Sequence, residues 1–271
     1  MKHAVLITGA TSGLGLAYAK EYAKRGYNLI ITGRRENKII ENANYIENTY
    51  HVKVKVVIVD LAKEEGLNLL LNEIKEEEIE VLVNNAGFGL KPVFSEVPKE
   101  DVDRIMFLQM NAVVLLTQNI LKQMLPRHKG TIINISSDGA FAVMPRNVLY
   151  SSTKLFILNF TEGLYMELID TAIRVQVVCP GFIDSDFHES AGMKVVKKKN
   201  GFMKFMDPQE IVRLAMKDLK KGRVVSVPGS EAKIIRFIAA FLPRKIFYNI
   251  IINFTRKRNH KLDTNIRKND D

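Results

Sequence analysis

Tyr150 and Lys154 stand four residues apart in the stretch Val148-Leu-Tyr-Ser-Ser-Thr-Lys154. On a helix that spacing puts both side chains on one face, one turn apart. A phenol ordinarily titrates near pH ~10, and a neighbouring ammonium favours the phenolate and lowers that value. The pair is a candidate general acid/base for moving a proton to or from a carbonyl or alcohol oxygen. The spacing alone is weak, because a lysine-rich chain produces such pairs on ordinary exposed helices. Its meaning comes from the segments on either side.

The first of these is Thr8-Gly-Ala-Thr-Ser-Gly-Leu-Gly15. It follows a short apolar strand, Ala4–Ile7, and precedes an apolar-periodic segment (Leu14, Ala17, Tyr18, Ala19, Tyr22, Ala23) that stops at Gly26. Strand, glycine-rich turn and helix in that order form a pyrophosphate site: glycines let the backbone come close, and the helix start offers free N–H groups. The spacing is Gly-x-x-x-Gly-x-Gly rather than Gly-x-Gly-x-x-Gly. A second strand, Asn28–Thr32, ends in Gly33-Arg34-Arg35. An acid there would hold the ribose 2′-OH of NAD. The two arginines instead suit a 2′-phosphate through forked, charge-assisted contacts. Cations at a helix start oppose its dipole, and a bound anion resolves the conflict. NADP(H) is therefore the expected cofactor, with NAD(H) open.

The remaining elements alternate. A helix is expected over Glu36–Tyr50, a third strand over Val54–Val59, a helix over Lys63–Glu76 and a fourth strand over Val81–Val83. Asp60 follows the third strand, placed to accept a hydrogen bond from an adenine amino group, to cap the next helix, or both. Asn84-Asn-Ala-Gly87 follows the fourth and favours a tight turn. Pro98–Met124 reads as one long helix with Asn111 among apolar residues, where an amide is a satisfied core group, a kink or a functional one. The fifth strand, Gly130–Ile135, ends in Ser136-Ser137, at the carboxyl edge where parallel sheets bind ligands. The sixth, Ile173–Val178, ends in Cys179-Pro-Gly181. Phe182 to about Met206 lacks periodicity and is a candidate lid. A helix over Pro208–Leu219 and a seventh strand over Arg223–Val227 complete an expected doubly wound α/β Rossmann fold, a seven-stranded parallel sheet with helices on both faces.

Composition agrees with such a body: 271 residues, 46% hydrophobic and 26% charged. The net charge of +10 is compatible with nucleic acid, a membrane surface or a phosphate-bearing ligand. No zinc-finger, coiled-coil or aromatic-basic signature supports a nucleic-acid partner. Metal-ligand spacings are not found either. The single cysteine, Cys179, allows no intrachain disulfide, and the apolar run at Ala4–Ile7 is too short for a signal peptide, so a cytoplasmic protein is expected.

Taken together, Thr8–Gly15, Asn84–Gly87, Asn111, Ser137, Tyr150-x-x-x-Lys154 and Pro180-Gly181 resemble the short-chain dehydrogenase/reductase family in order and spacing, over residues 4–230. The resemblance implies one Rossmann domain and an NAD(P)-dependent oxidoreductase. It makes Tyr150 the catalytic acid/base, with Lys154 lowering its pKa and holding the nicotinamide ribose. Ser137 would hydrogen-bond the substrate oxygen, and Asn111 would support a water relay to the lysine. The cofactor would lie against Gly9, Thr11, Ser12, Gly13, Leu14 and Gly15. Asp60, Leu61, Asn85, Ala86 and Gly87 would line its adenosine side, and Pro180, Gly181, Ile183 and Ser185 would complete the site. Ser185 stands where a threonine is commoner, and Ser12 where one variant of the family has a basic residue, so an NADP preference rests on Arg34 and Arg35. The expected activity is reduction of a ketone or aldehyde, or its reverse. Alternatives are a 3-oxoacyl reductase acting on CoA or carrier-protein substrates, and a non-catalytic NADPH-binding sensor. The expected partners are a small, apolar carbonyl or alcohol compound and further copies of the chain, as dimer or tetramer.

Residues 231–271 extend beyond those motifs. Ile234, Ile235, Ile238, Phe241 and Leu242, then Phe247, Ile250, Ile251 and Phe254, fall at helical spacing among basic residues. Packing of these stripes on the body or on a partner subunit is the first expectation. Docking on an anionic membrane surface is the second.

Overall fold

Along the first strand, β1 (Ala4–Ile7), Val5 and Ile7 point to one side and Ala4 and Leu6 to the other, and all four are fully buried. A strand buried on both faces belongs in the middle of a parallel sheet covered by helices. The computed structural model describes residues 1, 3–90, 93–143, 145, 147–184 and 205–253. The other strands are β2 (Asn28–Gly33), β3 (Val54–Ile58), β4 (Ile79–Asn84), β5 (Gly130–Ile135), β6 (Ile173–Val178) and β7 (Val225–Ser226). They form one parallel seven-stranded sheet in the order β3-β2-β1-β4-β5-β6-β7. Chain direction across the sheet reverses between β1 and β4, the place where such sheets open a ligand crevice.

Helices α1 (Gly13–Lys24), α2 (Glu36–Tyr50) and α7 (Pro208–Lys220) cover the face that carries Val5 and Ile7. The opposite face is covered by α3 (Glu64–Glu73), by α4 (Lys99–Met106) leading into α5 (Ala112–Met124), and by α6 (Val148–Glu167). Between β4 and β5, and under α5 and α6, runs a buried polar ladder. Asn84 Nδ2 donates to Thr117 Oγ1 (3.0 Å) and to Asn134 Oδ1 (2.9 Å), and Asn134 Nδ2 donates to Thr161 Oγ1 (2.9 Å).

Three local expectations change. The long helix Pro98–Met124 is not uniformly α-helical: a π turn, Phe107–Asn111, joins α4 to α5. The helix expected over Lys63–Glu76 is the shorter α3. The seventh strand keeps only two residues, paired as Val177↔Val225 and Val178↔Ser226, because Pro228 lacks an N–H and Gly229 turns the chain away at φ 97°. Past that glycine, α8 (Ser230–Phe241) and a second helix, α9 (244–253), leave the sheet.

Candidate active site

Parallel strands end on one edge, so the loops that follow them converge there without any sequence proximity. The glycine loop after β1 is the tightest part. Gly9 and Gly13 adopt left-handed φ values of 69° and 56°. A Cβ on Gly15 would lie 2.3 Å from Gly9 O and 2.6 Å from Asn85 Nδ2. The loop is stapled from the neighbouring strand: Asn85 Nδ2 donates to Thr8 O (2.9 Å) and Gly9 O (3.0 Å), and Thr8 Oγ1 accepts from the N–H groups of Asn85 and Ala86. From α2, Asn42 Nδ2 donates to Thr11 O at 3.1 Å. The Asn-Asn-Ala-Gly segment is thus more than a turn; its second asparagine holds the glycine loop in shape.

This loop opens α1 with its free N–H groups uncapped. The Ser12 side chain caps no backbone N–H, and no acid stands in the first turn. Arg35 arches over the start, donating to Thr11 Oγ1 (2.7 Å) and Ser12 Oγ (2.8 Å). Arg34 lies beside Asp60, 3.7 Å from Oδ2. A helix dipole, uncapped N–H groups and two exposed guanidinium groups form a donor set for phosphate. Asp60 is already engaged: Oδ1 accepts from Ala62 N (3.1 Å) and Oδ2 from Arg104 (3.2 Å). It braces a turn and orients arginines, while Lys63 occupies the capping position of α3. Leu14 and Leu61 have side chains in the two cores, so they can offer a cofactor only their backbone.

Ser137 leaves β5 at the start of a 3₁₀ turn, Asp138–Ala140, where its Oγ accepts from Gly139 N and donates to Asp138 Oδ1, both at 3.1 Å. α6 passes beside it and brings Tyr150 and Lys154 to the same place. Burial pushes the Tyr150 phenol up to about 12, a hydrogen bond with Ser137 draws it back, and the Asp138 charge pushes it further up. Burial pushes Lys154 down to about 8. Its Nζ donates to Ile135 O (3.0 Å) and lies 5.5 Å from the Tyr150 ring centroid. The expectation of a phenol lowered by the lysine is not met, because desolvation acts on both groups and favours the neutral form of each.

Asn111 ends the π turn and is exposed to solvent. The amide that faces the site is Gln109, 0% exposed, on the π turn. Gln109 Nε2 donates to Phe88 O (2.6 Å), and its Oε1 accepts from Thr153 Oγ1 (3.2 Å), between Tyr150 and Lys154. A Cβ on Gly87 would lie 3.5 Å from Lys154 Nζ and 3.6 Å from the Gln109 carboxamide carbon, so the two groups converge behind that loop. A π turn adds one residue to the helical repeat and rotates the helix beyond it. Within that turn Gln109 is buried and Asn111 exposed, and no sequence signal marks the insertion.

Pro180 O accepts from Asp138 N (2.9 Å), joining the loop after β6 to the serine turn. Ile183 packs on the α1 side of the core. Ser185 and the greater part of the expected lid, 185–204, lie outside the described residues. Beside Tyr150 a small cleft is lined by Leu90, Phe94, Val97, Asn147, Val148 and Leu149.

A sequence model of the short chain dehydrogenase family matches residues 3–195. The chain belongs to this family. As a short-chain dehydrogenase it is an oxidoreductase of a family that works with NAD or NADP. Its relatives include a 3-oxoacyl-[acyl-carrier-protein] reductase of Aquifex aeolicus, 32% identical over 78% of this chain and 87% of that protein. Another is a 17-beta-hydroxysteroid dehydrogenase type 3 of Mus musculus, 33% identical over 90% of this chain and 77% of that one. A short-chain dehydrogenase from Sphingobium yanoikuyae, solved in complex with NADPH, superposes with a TM-score of 0.79 at 28% identity, covering 88% of this chain and 92% of that one. This short-chain dehydrogenase thus has the expected fold, and its glycine loop, serine turn and Tyr150–Lys154 pair share one edge of the sheet.

Proposed function

We propose that this short-chain dehydrogenase reduces the carbonyl of an apolar ketone or aldehyde to an alcohol, with NADP(H) as the preferred cofactor. The reading is carried by the convergence of Ser137, Tyr150 and Lys154 beside an apolar cleft, at the edge where Arg34 and Arg35 flank the dinucleotide loop. The nicotinamide supplies the hydride to the carbonyl carbon. Ser137 and Tyr150 hydrogen-bond the carbonyl oxygen, and Tyr150 gives it a proton as charge develops there. A phenol held near 12 by burial keeps its proton at neutral pH, which suits the acid required for reduction better than the base required for oxidation. Lys154 holds the ribose and, by its charge, stabilises the phenolate left after proton transfer. Gln109 is a positioning residue: it ties α6, through Thr153, to the loop after β4.

Arg34 and Arg35 would pair the 2′-phosphate, and the uncapped start of α1 the pyrophosphate. The substrate class follows the cleft, whose lining is mostly aliphatic and aromatic. A 3-oxoacyl thioester presents the same chemistry on a longer apolar chain, and one relative carries that activity in its name.

The test is turnover of NADPH against a panel of bulky ketones and 3-oxoacyl thioesters, for the wild type and for Tyr150→Phe. The variant keeps the ring and loses the proton donor, so turnover falls by at least about a thousandfold, within the range of general acid catalysis and oxyanion stabilisation combined, while NADPH still binds. A variant that turns over like the wild type would sink the assignment. A wild type that binds NADPH and reduces nothing would favour a sensor.

A further inference from the structure

Ile234, Phe237, Ile238 and Phe241 lie at i, i+3, i+4 and i+7 on α8, and helical geometry places them on one face. That face does not pack on the body: Phe237 is 64% exposed and Phe241 73% exposed, their rings 4.6 Å apart. Of the first expectation for this stripe, packing on the body or on a partner subunit, the structure does not show the packing on the body. α8 is held at its other side. Ala232 is buried in a cluster with Ala140, Ile157, Val177, Cys179 and Val227, and the Arg236 guanidinium lies 5.5 Å from the Phe141 ring centroid. α9 is anchored similarly by Phe247, 3% exposed, and leaves Ile246, Tyr248, Ile250 and Ile252 exposed. The two helices therefore have fixed inner sides and apolar outer sides, and the inner side of α8 touches the serine turn of the active site.

The charge on these two helices is mostly basic. Over residues 230–253, α8 and α9 carry Lys233, Arg236, Arg244 and Lys245 against one acid, Glu231 in the first turn of α8. Two copies of the face brought together would oppose like charges across the contact, which disfavours a second copy as occupant. An anionic lipid surface supplies the missing charge and accepts the aromatic and aliphatic side chains at the headgroup boundary. The long apolar helix Lys99–Met124 is no competitor for the membrane, since Leu116, Ile120 and Met124 are in the core of the sheet.

We propose that the outer face of α8 and α9 docks this enzyme on an anionic membrane surface, with the serine turn and the substrate cleft held at the lipid boundary. The docking rests on the exposed face and its charges, not on the reading of the chemistry, and the two are tested separately. The full chain is sedimented with vesicles of phosphatidylcholine alone and of phosphatidylcholine mixed with phosphatidylglycerol, at low and high salt. Pelleting with the mixed vesicles, relieved by salt, is the expected result. Arg244→Ala with Lys245→Ala should weaken it roughly thirtyfold, at about fivefold for each basic residue near an anionic surface. Phe237→Ser with Phe241→Ser should abolish it at the same lipid concentration, and reduction of a water-soluble ketone should stay at the wild-type rate. Equal pelleting by the wild type and by the phenylalanine variant would overturn the proposal. So would a wild type that ignores both vesicles, whether it sediments as a monomer or as an oligomer that the phenylalanine substitutions dissociate.

Discussion

Replacing Lys154 by methionine should make the protein more stable and inactive at once. Lys154 is 4% exposed, and burial lowers its pKa from 10.5 to about 8. Each pKa unit between the folded and unfolded states is worth about 1.4 kcal/mol, so the buried charge costs the fold about 3 kcal/mol at neutral pH. Methionine keeps most of the apolar stem and removes the charge, along with the bond to Ile135 O, which is worth about 1 kcal/mol. The variant should gain about 2 kcal/mol, or a melting temperature higher by roughly 4–8 °C for a chain of this size. The pH dependence has a definite sign. Below the folded pKa both states are protonated and the penalty is complete. Between about 8 and 10.5 the folded state gives up its proton first, and the wild type regains stability relative to the variant. Above the unfolded pKa the charge term is gone. Thermal melts of both proteins without cofactor, at neutral pH and in steps upward through that window, read the effect directly, and an NADPH turnover assay reads the lost activity. A methionine variant no more stable than the wild type at pH ~7, or a gap that stays constant with pH, would refute the picture of a desolvated lysine.

Three further outcomes are expected from the geometry. Changing both Arg34 and Arg35 to alanine should weaken NADPH binding roughly tenfold to a hundredfold, as expected for lost charge-assisted hydrogen bonds, and leave NADH nearly unaffected; titration calorimetry with both cofactors checks it, and NADH binding as tightly as NADPH to the parent protein would remove the basis for the preference. Gln109→Leu should lower kcat by about tenfold with KM little changed and displace the pH profile, because an amide near Lys154 is lost and Phe88 O is left unpaired; Gln109→Asn should restore part of the rate, and a pH profile identical to the wild type's would reduce Gln109 to packing. Gly15→Ala drives a Cβ to 2.3 Å from Gly9 O, and its denaturation midpoint should report a loss of roughly 2–3 kcal/mol.

Much of this was legible from sequence, for identifiable reasons. Buried parallel strands read as charge-poor β-branched runs, so β1, β5 and β6 kept their expected bounds. Glycines at Gly9 and Gly15 announced a close approach of backbones, although the approach includes Asn85 and not only a ligand. What could not be read was set by tertiary context. The π turn that carries Gln109 and Asn111 is a one-residue insertion without a compositional mark. The raised phenol of Tyr150 depends on how deeply α6 sits beside the serine turn. The amphipathic stripe of α8 announced a helix with an apolar face but not which way that face would turn, since packing on a sheet and facing outward need the same periodicity.

The asparagine ladder bears on how the sheet avoids misalignment. β4 and β5 are buried on both faces, so no alternation of apolar and polar residues sets their register. A slip of two residues keeps every side chain on its own face and moves one strand past the other by roughly 6–7 Å. Asn84 and Asn134 are register partners across that strand pair. A two-residue slip would set Asn134 beside Leu82 or another aliphatic neighbour and strand both amides in an apolar layer, at about 1–3 kcal/mol for each unsatisfied group. The pair therefore acts as a vernier mark. It keeps the loop that begins at Asn85 level with the loop that begins at Ser136, and so fixes the height at which the stapled glycine loop and the serine turn face each other.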